Sequence, residues 1–155
     1  MKNLIFLGIV ISILCLNCKG SRIMSKKETN FLDANTYQLY DISKDAKYAY
    51  IQGLPVKVGG KNKSEGPLNQ RRYLNALLGP NGEKIHFKHV KSCCYKKVKQ
   101  ADGNIQLTYL DQYEISIEGK KQRFIIFLSM FEKEQELLAP RGFTFKIPAS
   151  DKKKK

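Results

Sequence analysis

From Leu4 to Leu16 the chain is almost wholly apolar behind the single charge of Lys2, and the run stops at Asn17, Cys18, Lys19, Gly20 and Ser21. A basic start, a short apolar stretch and a cysteine just past it form the signature of an exported lipoprotein, acylated at that cysteine and cut before it. Thirteen helical residues span roughly 20 Å, short of the ~30 Å hydrocarbon core, so the run reads as a signal rather than a membrane span. Cys15, Leu16 and Asn17 depart from a lipobox of leucine followed by two small residues, yet no small-x-small site for ordinary cleavage precedes the polar segment. The expectation is a mature chain of 138 residues, Cys18 to Lys155, held to the bacterial envelope, at its outer membrane, by acyl chains on Cys18.

Beyond the signal (1–17), the residues from Lys19 to Ala34 are polar and without periodicity, which predicts a flexible tether over 18–34 and a fold that starts near Asn35. Tyr48 and Tyr50 alternate within Lys47 to Ile51, as in a strand, and Pro55 to Val58 extend before the Gly59-Gly60 pair. A helix is predicted over Pro67 to Leu78. Pro67 suits its first position, Tyr73, Leu74, Leu77 and Leu78 form its apolar stripe, and Gly79-Pro80 would supply a left-handed cap and a stop. After Asn81-Gly82, Ile85 and Phe87 alternate with His86 and Lys88 as a strand should.

The alternation from Ile105 through Leu107, Tyr109, Asp111, Tyr113 and Ile115 to Ile117 is the longest in the chain. It is much longer than a typical strand of about five or six residues, which favours a break near Leu110-Asp111. A carboxylate on a buried row must be paired or turned outward. The reading adopted is a structural ion pair between Asp111 and Arg71 or Arg72 of the helix. Glu118 to Lys121 reads as a hairpin turn, Arg123 to Phe131 as a central strand with apolar residues on both faces, and Glu132 to Leu138 as a short helix or loop. Ala139 to Gly142 reads as a turn and Phe143, Phe145 and Ile147 as a last strand. The sum is an α+β domain over 35–148, one main helix packed on an antiparallel sheet of four to five strands, with a disordered basic tail at 149–155. A helix followed by an antiparallel meander is similar to cystatin-like folds, a likeness that carries no function.

The formal charge of +14 changes this picture less than its size suggests. Glu28 to Ser150 carry 19 basic and 13 acidic residues, so most of the excess lies in the two ends, where it suits an anionic envelope surface. No nucleic-acid-binding motif is present, and nucleic acid is not expected as a partner. Gly59-Gly60 lack the spacing of a phosphate-binding loop. No cofactor or metal is expected.

Once Cys15 leaves with the signal and Cys18 is acylated, Cys93 and Cys94 remain. Adjacent cysteines in an oxidising compartment close a disulfide, stay as two thiols facing opposite ways, or form a reactive site helped by Lys91, Lys96 and Lys97 with His86 or His89 as base. A strand sends those two histidines to opposite faces, so at most one reaches such a site. A second candidate is a binding surface of Tyr50, Lys57, Arg71, Arg72, Asn75 and Lys91, because arginine presents paired donors to a carboxylate or phosphate. The competing reading is that Arg71 and Arg72 only tie helix to sheet.

Tyr48-Ala49-Tyr50, the Pro55 to Gly60 run, the Asn69 to Gly82 run, Ser92-Cys93-Cys94, the Asp111 to Glu114 run and the Ala139 to Phe143 run together resemble a family of small envelope lipoproteins. The likeness covers Asp45 to Phe145, and the Arg71 to Gly82 run is its most specific part. The chain departs from it after Cys94, where Tyr95-Lys96-Lys97-Val98 replace a glycine-rich stretch. The resemblance implies an envelope location and brings no catalytic residues. Members often bear the label 2-dehydro-3-deoxyphosphooctonate aldolase, an activity that belongs to a closed parallel barrel of about 250 residues; half that length with antiparallel signals does not fit it. The function expected is a non-catalytic binding or structural module for a protein or anionic glycan partner. The alternative is an envelope enzyme or thiol oxidoreductase built on Cys93, Cys94 and a histidine.

Overall fold

The computed structural model describes residues 31–60, 64–99 and 102–148. The expected signal, Cys18, the tether up to residue 30 and the basic tail lie outside the described residues. Phe31–Asp33 (β1) and Thr36–Tyr37 (β2) pair as an antiparallel hairpin. Residues 31–34, expected in the tether, therefore belong to the fold. Their anchor is aromatic: the Phe31 ring stacks on that of buried Tyr37 at 4.8 Å.

The remaining elements are Val56–Lys57 (β3), Glu65–Ala76 (α1), Leu77–Leu78 (β4), Ile85–Lys99 (β5), Ile105–Ile117 (β6), Arg123–Ser129 (β7) and Thr144–Phe145 (β8). The main sheet has the order β3-β7-β6-β5, antiparallel except where β3 runs parallel to β7. The fold is α+β, with a single helix among the described residues and a four-stranded sheet. This open, mixed sheet is not a closed parallel barrel. Tyr73 and Leu74 of α1 and Leu77 of β4 pack in one core with Ile115, Ile117, Ile126 and Leu128 of the sheet, closed off by Leu137, Ala139 and Phe143.

Several expectations give way to tertiary pairing. The helix starts at Glu65, so Pro67 is its third residue, and it ends at Ala76, where Leu77 turns extended with ψ 148°. Leu77 and Leu78, counted with the helix by their spacing, instead pair with Phe145 and Thr144. Gly79 is not a left-handed cap: it is needed because a Cβ there would lie 2.5 Å from Glu83 Oε2 and 2.8 Å from Ile117 Cγ2. Lys47 to Ile51 form a tight turn rather than a strand, with Ala49 at φ 68°. Ala49 is held there because its N–H donates to Leu54 and its carbonyl accepts from Phe127, both at 2.8 Å. One local turn bond and one long-range bond thus override the β preference of Tyr48 and Tyr50. The last strand is only Thr144–Phe145 and lies outside the main sheet, while Glu132 to Leu138 take no helical turn.

The long alternation of β6 is one unbroken strand, without the break predicted near Leu110-Asp111. Its buried row changes side at that point. Ile105, Leu107 and Tyr109 are exposed while Thr108 and Leu110 are buried, and from Asp111 onward the odd positions face the core. The cause lies in the neighbours. β7 pairs with β6 only from Asp111 to Ser116, and β5 carries irregularities between His89 and Lys91 and between Cys93 and Lys96. Past Asp111, β5 and β6 continue as a two-stranded ribbon.

Candidate functional site

Gln70 falls on the buried stripe of α1, three and four residues before Tyr73 and Leu74, and is itself only 2 % exposed. That placement aims its amide at β6. Nε2 donates to Asp111 Oδ2 at 2.6 Å, and Oε1 accepts from the Tyr113 hydroxyl at 2.9 Å. The other carboxylate oxygen of Asp111 accepts from the Ser92 hydroxyl and from His89 Nε2, the latter at 3.1 Å. A carboxylate is acceptor-only, so that histidine nitrogen carries the proton. Asp111 is buried as the alternation implied, but its partners are Gln70, Ser92 and His89. Neither Arg71 nor Arg72 pairs with it, because its row meets the helix at Gln70. Burial pushes the Tyr113 hydroxyl up in pKa, Asp111 adds to this, and Arg71 opposes both.

Ser92 and His89 donate to the same oxygen. A hydrolytic triad instead has serine donating to imidazole, with the carboxylate behind it. The geometry here is that of a buried charge supplied with three donors, which serves to fix the register of β5 on β6 at Ser92 and Asp111. Of the two histidines, His86 sits opposite Ser116 and takes no part in this group.

The six residues of the candidate anion surface do not come together. The Tyr50 hydroxyl donates to the Arg141 carbonyl, and Lys57 Nζ pairs with Glu132 at 3.1 Å. Arg72 Nε donates to the Ala34 carbonyl at 2.8 Å and its guanidinium lies 4.9 Å over the Phe31 ring. Asn75 Nδ2 donates to the Asn35 carbonyl at 2.9 Å. Arg72 and Asn75 are therefore consumed in fastening the β1–β2 turn to α1. Arg71 is exposed on the helix, and Lys91 stands opposite Gln112, on the other face of the ladder from Ser92 and Asp111. The Gly59-Gly60 pair is a packing device rather than a cradle. A Cβ on Gly60 would sit 2.7 Å from the Gly66 backbone nitrogen, and one on Gly59, at φ 64°, would sit 2.8 Å from Lys133 Cβ.

Cys93 and Cys94 are joined to each other, with Cα atoms 3.7 Å apart, and Cys94 adopts φ 61°. Just beyond them the ribbon presents an apolar row to solvent. Tyr95 is 70 %, Ile105 67 %, Leu107 55 % and Tyr109 45 % exposed. The Tyr95 and Tyr109 rings meet at 5.2 Å, and Phe131 reaches Tyr109 at 6.4 Å. Lys97 and Lys99 are the cross-strand partners of Leu107 and Ile105, so they edge the same row. Nothing in the alternation of Ile105 to Ile117 distinguishes the exposed half from the buried half; only the length of β7 does. Gln70, by contrast, had a legible signal, a polar residue on an apolar helical stripe.

The chain matches no protein-family model, and no curated protein or solved structure matches it.

Proposed function

We propose that this chain is an exported lipoprotein, anchored to the envelope membrane through acylated Cys18, and that it works as a non-catalytic binding module whose contact surface for a protein partner is the β5–β6 ribbon. The observation that carries this reading is the exposed row of Tyr95, Ile105, Leu107 and Tyr109, edged by Lys97 and Lys99. Contiguous exposed apolar side chains rimmed by charge mark interaction surfaces, since their cost in water is recovered only on contact. Two tyrosines supply rigid area with a polar tip, the composition favoured at the centre of interfaces. A protein with an apolar patch ringed by carboxylates fits this face. The anionic glycan reading has less support, because Arg72 and Asn75 are occupied within the fold. The thiol-enzyme reading has less support as well, because the histidine it calls on is engaged elsewhere: His89 is hydrogen-bonded to Asp111 and His86 stands opposite Ser116.

The test compares affinity capture from envelope extracts by the wild-type chain, Leu107→Glu and Arg72→Ala, each matched for folded fraction. Capture of one partner that Leu107→Glu abolishes and Arg72→Ala retains is the expected result. Capture unaffected by Leu107→Glu refutes the ribbon as contact surface. Intact mass of the membrane-extracted chain reads the anchor separately: a mass without acyl groups on Cys18 refutes it. Rapid alkylation of Cys93 or Cys94 by iodoacetamide in the native protein brings the thiol chemistry forward.

A further inference from the structure

The Cys93–Cys94 bond stands where the rooted part of the β5–β6 ladder becomes a free ribbon. Cys93 is the partner of Leu110, and the next pair is Lys96 with Thr108, so Cys94 and Tyr95 together oppose Tyr109 alone. That is a bulge of one extra residue. Cys94 sits within it at φ 61°, a left-handed conformation that side-chain-bearing residues avoid. A bond between adjacent cysteines closes a small ring through the intervening peptide and holds the pair in that conformation.

The bulge decides which face the outer ribbon shows. With it, Tyr95, Lys97 and Lys99 share a face with Tyr109, Leu107 and Ile105. Without the extra residue the outer part of β5 slides by one place, and strand alternation turns its whole row to the opposite side. Val98, now buried, would take the place beside Ile105, and Tyr95 would leave Tyr109. A left-handed residue that is no longer held has a steric reason to return to the extended region and dissolve the bulge.

We propose that the Cys93–Cys94 disulfide is a redox-operated register lock: oxidised, it assembles the composite apolar and basic face of the ribbon, and reduced, it lets β5 slip and takes that face apart. The reductant is an external dithiol of the kind carried by thiol–disulfide exchange proteins. Its thiolate attacks one sulfur of the pair, the S–S bond breaks, and the other cysteine leaves as a thiolate that takes up a proton. The second thiol of the reductant then displaces the remaining cysteine, which is protonated in turn, and closes its own disulfide. Two electrons and two protons pass from the dithiol to the pair.

The purpose of the lock rests on the ribbon being the contact surface, but its test does not. In the full chain in detergent micelles, nuclear magnetic resonance reads the cross-strand backbone contact between Lys97 and Leu107, with and without dithiothreitol. The contact is expected in the oxidised protein and lost on reduction, while the contact between Glu114 and Ile125 is kept. Cys93→Ser combined with Cys94→Gly is expected to keep the Lys97–Leu107 contact under both conditions, because glycine adopts positive φ freely. Cys93→Ser combined with Cys94→Ala is expected to behave as the reduced protein. A contact that persists when both cysteines are shown by mass to be reduced overturns the lock, as does a bond that dithiothreitol does not open. Simultaneous loss of the Glu114–Ile125 contact makes the disulfide a staple of the whole domain and overturns it too. Capture by Leu107→Glu is scored on oxidised protein alone, so a failed contact surface and a failed lock give different results.

Discussion

Replacing Gln70 with leucine isolates the polar group under the helix with little change of volume, so the cost comes from hydrogen bonding rather than from a cavity. Gln70 is 2 % exposed and holds two partners, Asp111 at 2.6 Å and the Tyr113 hydroxyl at 2.9 Å. Removing a donor from a buried carboxylate costs about 1.5–3 kcal/mol, and leaving a buried hydroxyl without its acceptor adds about 1–3 kcal/mol. The apolar gain of leucine offsets roughly 1 kcal/mol of this. Gln70→Leu is therefore expected to lower stability by about 1.5–5 kcal/mol. In urea unfolding followed by circular dichroism that is a midpoint shift on the order of 1–2 M at an unchanged slope. Tyr113→Phe alone is expected to cost about 1 kcal/mol, and the double variant less than the two together, because phenylalanine needs no acceptor. A Gln70→Leu variant within about 0.5 kcal/mol of wild type would show that solvent replaces these bonds, and the network would then explain neither the register of β5 nor the burial of Asp111.

Arg72→Ala removes a bond to the Ala34 carbonyl and the stacking over Phe31; an expected loss of about 1–2 kcal/mol, read by thermal unfolding, should come with faster amide exchange confined to β1 and β2. Gly60→Ala places a methyl 2.7 Å from the Gly66 backbone nitrogen and is expected to destabilise by about 1–3 kcal/mol in the same measurement, whereas Gly53→Ala, where a Cβ comes no nearer than 4.0 Å to Ile51 Cδ1, is expected to change stability little. Burial raises the Glu134 carboxyl above its ordinary value of 4.5, against hydrogen bonds from the Tyr48 hydroxyl and the Lys57 N–H that lower it. The native state then holds the proton to higher pH than the unfolded chain, so this group's effect is a decline in stability as pH rises from 4.5 through the raised value. Glu134→Gln is expected to flatten that decline in urea unfolding at a series of pH values, and an unchanged profile would refute the shift.

What the amino-acid order determined by itself was local: a polar break at Gly79 to Gly82, a helix over Pro67 to Ala76 of the predicted Pro67 to Leu78, long alternation in β6, and an apolar central strand in β7. These follow from the spacing of apolar side chains and from glycine and proline, which act over a few residues. The expected partner of Asp111 shows where that reach ends. Burial of the carboxylate followed from its place on an apolar row, but the choice of Gln70 over Arg71 or Arg72 depends on the rotation of α1 above the sheet. Leu77 and Leu78 fit the helical spacing and still leave it, because β8 offers them backbone partners. Tyr48 and Tyr50 likewise curl into a turn where Phe127 and Leu54 take up the backbone of Ala49. The exposed row of the ribbon is the clearest case. Ile105, Leu107 and Tyr109 carry the same alternation as Tyr113, Ile115 and Ile117, and they face water because β7 stops pairing at Asp111 while a bulge at Cys94 re-aims β5. Burial depends on what lies across the gap, which is a property of the assembled sheet and not of any one strand.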